Sequence, residues 1–108
     1  MKIDELRQGA ADTDPRYRAG LELLIWLGKE VPTVRGGWSG DDLRVELEEL
    51  RDWMGPWSGG ERRVVRVALS LMAGDGVDLE DVIGGLGGAH LRAVVEAIAA
   101  SAGLRVAA

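Results

Sequence analysis

Cysteine and phenylalanine are absent from this chain, and histidine occurs once, as His90. Without cysteine the protein can form neither a disulfide nor a thiolate metal site, and it has no thiol nucleophile. A single histidine leaves few imidazole-based schemes for metal binding or acid–base catalysis. No serine or threonine lies at a spacing from a histidine or lysine that would activate it as a nucleophile. These absences predict a protein without cofactor, metal or enzymatic activity.

Long hydrophobic runs are also missing. The longest nearly apolar stretch, Leu21 to Leu27, contains Glu22 and is far shorter than the roughly 20 residues that a membrane span needs. The first residues, Met1 to Glu5, carry charges and no apolar signal-peptide core. We therefore expect a cytoplasmic protein that does not associate with membranes. The net charge of -5 disfavours attraction to phosphate backbones, so nucleic acid is not the expected partner.

The composition is that of a folded domain. Hydrophobic residues make up 46% and charged residues 29% of the 108 positions, which is a globular rather than a disordered balance. A chain of this length has room for one hydrophobic core, so we expect a single domain over residues 1–108. Only two of the 13 basic residues are lysine. That bias towards arginine is typical of GC-rich bacterial genomes and their phages.

Helix start and stop signals divide the chain, and no segment alternates convincingly with period two. Asp14 and Pro15 form an N-terminal helix signal, and Gly28 is a stop. Gly55 and Pro56 end a later helix. The predicted segments are a short turn at 2–8 and helices at 15–27, 40–54, 59–73, 78–83 and 89–102, with an irregular connection at 30–38. The sequence therefore predicts an all-α, compact bundle of four to five helices.

Two faces of opposite charge are candidate surfaces for a protein partner. In the predicted helix 40–54, capped by Ser39, leucines and Met54 at helical spacing form one face and acidic residues the other. The helix 59–73 carries an arginine stripe. Tryptophan in the glycine-rich connection is a further candidate, because it is expected to be exposed. The candidate partner-binding residues are Trp38, Asp42, Glu46, Glu49, Asp52, Arg62, Arg63 and Arg66.

Self-association is predicted from the helix 15–27, which is apolar on more than one side. A chain of this size has limited interior in which to bury such a helix. The alanine-rich last helix offers a smooth surface that another helix can approach closely. We therefore expect a homodimer in which Leu23 or Trp26 lies near the two-fold axis.

The segment Ser58-Gly59-Gly60-Glu61 has the pattern of a capping box, in which the first and fourth residues satisfy each other's backbone N–H groups. The same four residues resemble the signature loop of ABC-type ATPases. That loop acts opposite a nucleotide held by a Walker A motif, and the chain contains no such motif. The capping box is therefore the favoured interpretation.

The order and spacing of the helices between Glu61 and Gly103 resemble the trihelical core of helix-turn-helix regulators. The resemblance implies that residues 89–102 occupy the recognition position. His90 and Arg92 would then be the residues that contact a nucleic acid, which is a low density of polar contacts for base and phosphate recognition.

Three functions are compatible with these observations. The leading hypothesis is a non-enzymatic helical protein–protein interaction protein, homodimeric and of bacterial or phage origin. The first alternative is a helix-turn-helix-like nucleic-acid-binding regulator. The second alternative is an acidic phage or mobile-element protein that inhibits a host nucleic-acid machine by placing its acidic helix in a basic site. The sequence does not identify the partner.

Overall fold

The computed structural model describes residues 1–37 and 40–105. Within those ranges the chain forms six helices and one two-stranded antiparallel sheet. The mostly helical architecture is thus confirmed, but four to five helices was too few and the sheet was not expected. The elements are α1 (Ile3–Ala10), α2 (Pro15–Leu27), β1 (Thr33–Gly36), β2 (Asp42–Val45), α3 (Leu47–Trp53), α4 (Gly59–Ala73), α5 (Leu79–Gly85) and α6 (Gly88–Ser101).

Helix α2 begins and ends where its local signals predict. The side chain of Asp14 accepts a hydrogen bond from the Arg16 backbone N–H at 2.7 Å, and Pro15 occupies the first helical position. The Arg16 guanidinium also binds this carboxylate and lowers the pKa of Asp14 to about 2. At the other end, Gly28 adopts a left-handed conformation with φ of 78°, which a residue with a Cβ rarely adopts.

The capping box at the start of α4 is confirmed. The Ser58 hydroxyl accepts a hydrogen bond from the Glu61 N–H at 3.1 Å, and the Glu61 carboxylate accepts one from the Ser58 N–H at 3.0 Å. Lys29 lies 3.0 Å from the same carboxylate. The pKa of Glu61 is lowered, first by the hydrogen bond from the Ser58 backbone and then by that from Lys29.

Replacing Ser58 with Ala should lower the free energy of unfolding by ~1 kcal/mol, because one N–H of the first turn loses its acceptor. Urea denaturation monitored by circular dichroism measures the change, and Ser58→Asp, which keeps a capping oxygen, is the control. Equal losses in the two variants would contradict the capping role.

A β-hairpin replaces the first part of the predicted helix 40–54. Thr33 on β1 lies opposite Val45 on β2, and Gly36 lies opposite Asp42. Leu43 and Val45 are buried at 7% and 5% exposure, whereas the alternate residues Asp42 and Arg44 are half-buried. This alternation with period two is typical of a strand.

The prediction of one continuous helix was wrong because the spacing from Leu43 to the later leucines also fits a helix. Only the second half of the predicted segment is helical, and this helix, α3, begins after Glu46. The Glu46 carboxylate accepts a hydrogen bond from the Glu48 N–H at 3.1 Å and serves as the N-cap. Ser39, the predicted cap, lies outside the described residues.

Helices α2 and α4 pack against each other along most of their lengths, and α2 also contacts α6 and α1. Gly20 makes the close approach of α2 to α4 feasible. A Cβ at that position would lie 2.4 Å from the Met72 Cγ atom and 2.9 Å from the Ala68 carbonyl oxygen. The largest fully buried side chains come from all six helices, and they are Leu6, Leu24, Leu50, Val64, Val65, Leu69, Val82 and Val94.

The hairpin packs mainly on α1, and Tyr17 of α2 also contacts the Val45 backbone. A Cβ at Gly9 would lie 2.6 Å from the Leu43 carbonyl oxygen, so α1 approaches the backbone of β2 directly. The Arg35 guanidinium on β1 donates to the Glu5 carboxylate on α1 at 2.8 Å. This hydrogen bond lowers the pKa of Glu5. These contacts hold α1 against the hairpin formed by β1 and β2.

Helices α4, α5 and α6 follow one another in the predicted order. The Asp78 side chain caps α5 by accepting from the Asp81 N–H at 3.2 Å, and only Leu86 and Gly87 separate α5 from α6. Val82 anchors α5 in the core at 1% exposure. In the part of the chain that the structure describes, no helix combines the length and apolar character needed to cross a membrane.

Candidate protein interface

An open groove of about 420 Å³ lies between α2 and α6. Trp26, near the end of α2, meets His90, near the start of α6, with ring centroids 5.4 Å apart and planes at 90°. The two helices therefore run in opposite directions, so that the first turn of α2 lies beside the last turn of α6. Pro15 and Ala100 line that other end of the groove. Since α2 rises by about 1.5 Å per residue, the groove is roughly 15 Å long.

The floor of the groove is apolar and changes in size along its length. On the α6 side it consists of small residues one turn apart, Ala93, Ala97 and Ala100. On the α2 side, Leu23 is buried at 3% exposure, while Trp26 remains 48% exposed at one end. The groove therefore has a bulky end at Trp26 and a flat end formed by the alanines. Such a surface suits close packing by another helix or another bulky side chain.

Charged residues of both signs form the rim. The Glu22 carboxylate accepts hydrogen bonds from the Arg7 Nε at 2.8 and 3.0 Å, and these raise the pKa of Arg7. Glu96 lies 2.9 Å from Arg92 one turn earlier on α6. Arg18 forms no ion pair with any residue of the described ranges. The carboxylates of the rim are thus neutralised within the chain, and one guanidinium is available.

The two residues predicted at the dimer interface have different positions in the monomer. Leu23 belongs to the core and forms the floor of the groove, whereas Trp26 projects into solvent. The sequence could not distinguish them, because both lie on a helix that is apolar on several sides. Sequence reasoning did not place Arg18, Glu22 and Glu96 at the interface, since their position there depends on how α2 packs against α6.

The predicted acidic face does not form one surface. Asp42 lies on β2 with Arg44 at 3.6 Å, and Glu46 is engaged as the α3 N-cap. Of the four acidic candidates, Glu49 and Asp52 are the two that lie exposed on a helix. The acidic residues are divided because the chain changes from strand to helix at Glu46. Asp42 therefore lies on β2, whereas Glu49 and Asp52 lie on α3. Trp38 lies outside the described residues.

The predicted arginine stripe is largely engaged within the chain. Arg62 donates to the Gly55 carbonyl at 3.1 Å beyond the end of α3. The Arg63 Nη2 donates to the Asp81 carboxylate at 3.2 Å, and Arg66 lies 4.0 Å from the same carboxylate. These arginines attach α4 to its neighbours.

The candidate nucleic-acid residues are also engaged. His90 is half-buried against Trp26, and Arg92 is paired with Glu96. Among the described residues, no group of three or more acidic, histidine or cysteine side chains is arranged to hold a metal ion. Comparison with known proteins returned no matching family model, curated protein or solved structure.

Proposed function

We propose that the protein is a non-enzymatic protein-interaction module that forms a homodimer through the α2–α6 groove. The observation that supports this most directly is the apolar floor, with half-exposed Trp26 at one end and alanines at the other. Apolar area of this kind is costly to leave in water. Tryptophan is among the residues that most often dominate the binding energy of a protein interface.

A second copy fits the groove because the groove is complementary to itself. A two-fold axis through its middle reverses α2 and places the Trp26 end of one copy against the alanine end of its partner. Each Trp26 side chain would then pack over Ala97 and Ala100 of the other copy. The same operation brings Arg18 near the partner's Trp26, where a guanidinium can stack on the indole face.

The charge distribution supports association at this surface. Two copies with a net charge of -5 each repel one another, so a contact is favoured where negative charge is already neutralised. Glu22 and Glu96 at the rim are neutralised by Arg7 and Arg92. By contrast, α3 and α5 present acidic residues to solvent.

Nucleic-acid binding is less well supported. Phosphate and base contacts need free cationic or amide side chains, and Arg63, Arg66 and Arg92 are all paired with carboxylates of the same chain. Inhibition of a host machine through an acidic helix is also less well supported, because β2 and α3 divide the acidic residues between a strand and a short helix.

Trp26→Ala should weaken the dimer, because it removes the side chain that fills the partner's groove. We expect the dimer dissociation constant to rise at least about tenfold in sedimentation equilibrium experiments. Trp53→Ala is the matched control, since Trp53 is 46% exposed but lies on α3, away from the groove.

The control variant should retain the dissociation constant of the unmodified protein. Equal weakening by both substitutions would show that the groove is not the interface. An unmodified protein that sediments as a monomer throughout the micromolar range would contradict the dimer itself.

A further inference from the structure

Helix α5 exposes two large aliphatic side chains on one side. Leu79 and Ile83 are 57% and 59% exposed, more than Trp26, and they lie one turn apart. The helix is anchored in the core by Val82, so neither exposed residue is needed for that contact. A short helix with two exposed aliphatic residues on one side is a surface that lacks a covering partner.

The same segment carries negative charge that is only partly neutralised. Residues 74–89 contain four acidic residues and no basic one. Asp75 is bound by the Arg51 guanidinium at 2.8 and 3.0 Å, and Asp81 is bound by Arg63. Glu80 has no ion pair within the described ranges. Asp78 accepts a backbone hydrogen bond that leaves its charge in place. The two uncompensated carboxylates flank Leu79 in the sequence.

A cleft of about 470 Å³ adjoins these carboxylates. Asp78, Glu80 and Asp81 line it together with one cation, Arg63, so the lining has an excess of negative charge. At Gly84 a Cβ would meet no atom within 4 Å, so the cleft is open to solvent on that side, whereas the Arg63 side chain lies directly against Gly85. A lysine or arginine side chain from another molecule could therefore enter it and form ion pairs with Asp78 and Glu80.

We propose that Leu79, Ile83, Asp78 and Glu80, here called the α5 patch, bind a cationic amphipathic helix of another protein. Apolar side chains of that helix would cover Leu79 and Ile83, and one of its basic side chains would enter the cleft. Charge complementarity identifies the occupant, because an acidic second copy or a nucleic acid would be repelled. The α5 patch shares no lining residue with the α2–α6 groove, so the two contacts are independent.

A synthetic peptide tests the proposal directly. The probe is a fluorescently labelled helical peptide of leucine and lysine, with leucines on one face, and its anisotropy is followed at low and moderate ionic strength. Glu80→Lys should weaken binding at least about tenfold, because it places a cation beside the cleft. Glu49→Lys changes the net charge equally on α3 and should have less than about a threefold effect.

A second variant tests the apolar part of the patch. The double variant Leu79→Ser and Ile83→Ser should also weaken binding at least about tenfold while the circular-dichroism spectrum stays unchanged. Trp26→Ala should bind the peptide normally, which separates this proposal from the dimer.

Three results would overturn the proposal. They are equal weakening by Glu80→Lys and Glu49→Lys, binding that survives the serine variant, and no measurable binding of the peptide at low ionic strength.

Discussion

Leu23→Glu is expected to unfold the protein. Leu23 is 3% exposed and belongs to the core, and removing its packing alone costs roughly 2–5 kcal/mol. A carboxylate at the same position adds the cost of desolvating a charge without a partner. Since small domains are stable by only about 5–15 kcal/mol, the sum approaches or exceeds the whole free energy of unfolding. Loss of the helical circular-dichroism signal at room temperature measures the effect.

Trp26→Glu one turn later is the matched control, because the exposed indole can be replaced by a carboxylate that stays in water. We expect this variant to be folded and monomeric. A folded Leu23→Glu protein would show that Leu23 is accessible in solution and that the core assignment is wrong. Unfolding of both variants would contradict the exposed position of Trp26.

Gly20→Ala should destabilise the protein by about 1–3 kcal/mol, although alanine is the better helix former. The added methyl group would lie 2.9 Å from the Ala68 carbonyl oxygen and closer still to Met72. Met72 can change its rotamer, but the carbonyl belongs to α4, so α2 and α4 must move apart. The midpoint of urea denaturation measures the loss.

Gly84→Ala on α5 is the matched control, and we expect it to stabilise the protein, because a Cβ there would meet no atom within 4 Å. Only helix propensity acts there, and the variant should gain about 0.5–1 kcal/mol. A Gly20 variant as stable as the unmodified protein would mean that the two central helices are not as closely packed as described.

Local chemistry explains which parts of the fold were predictable. The caps at Asp14 and Ser58 and the stop at Gly28 depend on neighbouring residues, and each was found from the sequence. The hairpin was missed because Leu43 fits two periodicities. Only pairing with β1 and packing on α1 decide between them, and both contacts are distant in the sequence.

The candidate interface was predictable only in part. Trp26 was identified because a tryptophan on an apolar helix is conspicuous, but its exposure and that of Leu23 depend on the position of α6. The arginines of α4 were expected on a free surface. Asp81, on another helix, pairs with Arg63 and lies 4.0 Å from Arg66, and a sequence pattern carries no information about that pairing.

The direct contact between α1 and β2 has a consequence for local stability. Gly9 lies against the Leu43 carbonyl, and Arg35 joins β1 to Glu5, so α1 and the hairpin support one another. The loss of either element removes a support of the other. The two should therefore open together as one cooperative unit, in which amide hydrogens exchange at similar rates. Amides of α2 and α4, which pack on each other along their lengths, should exchange more slowly.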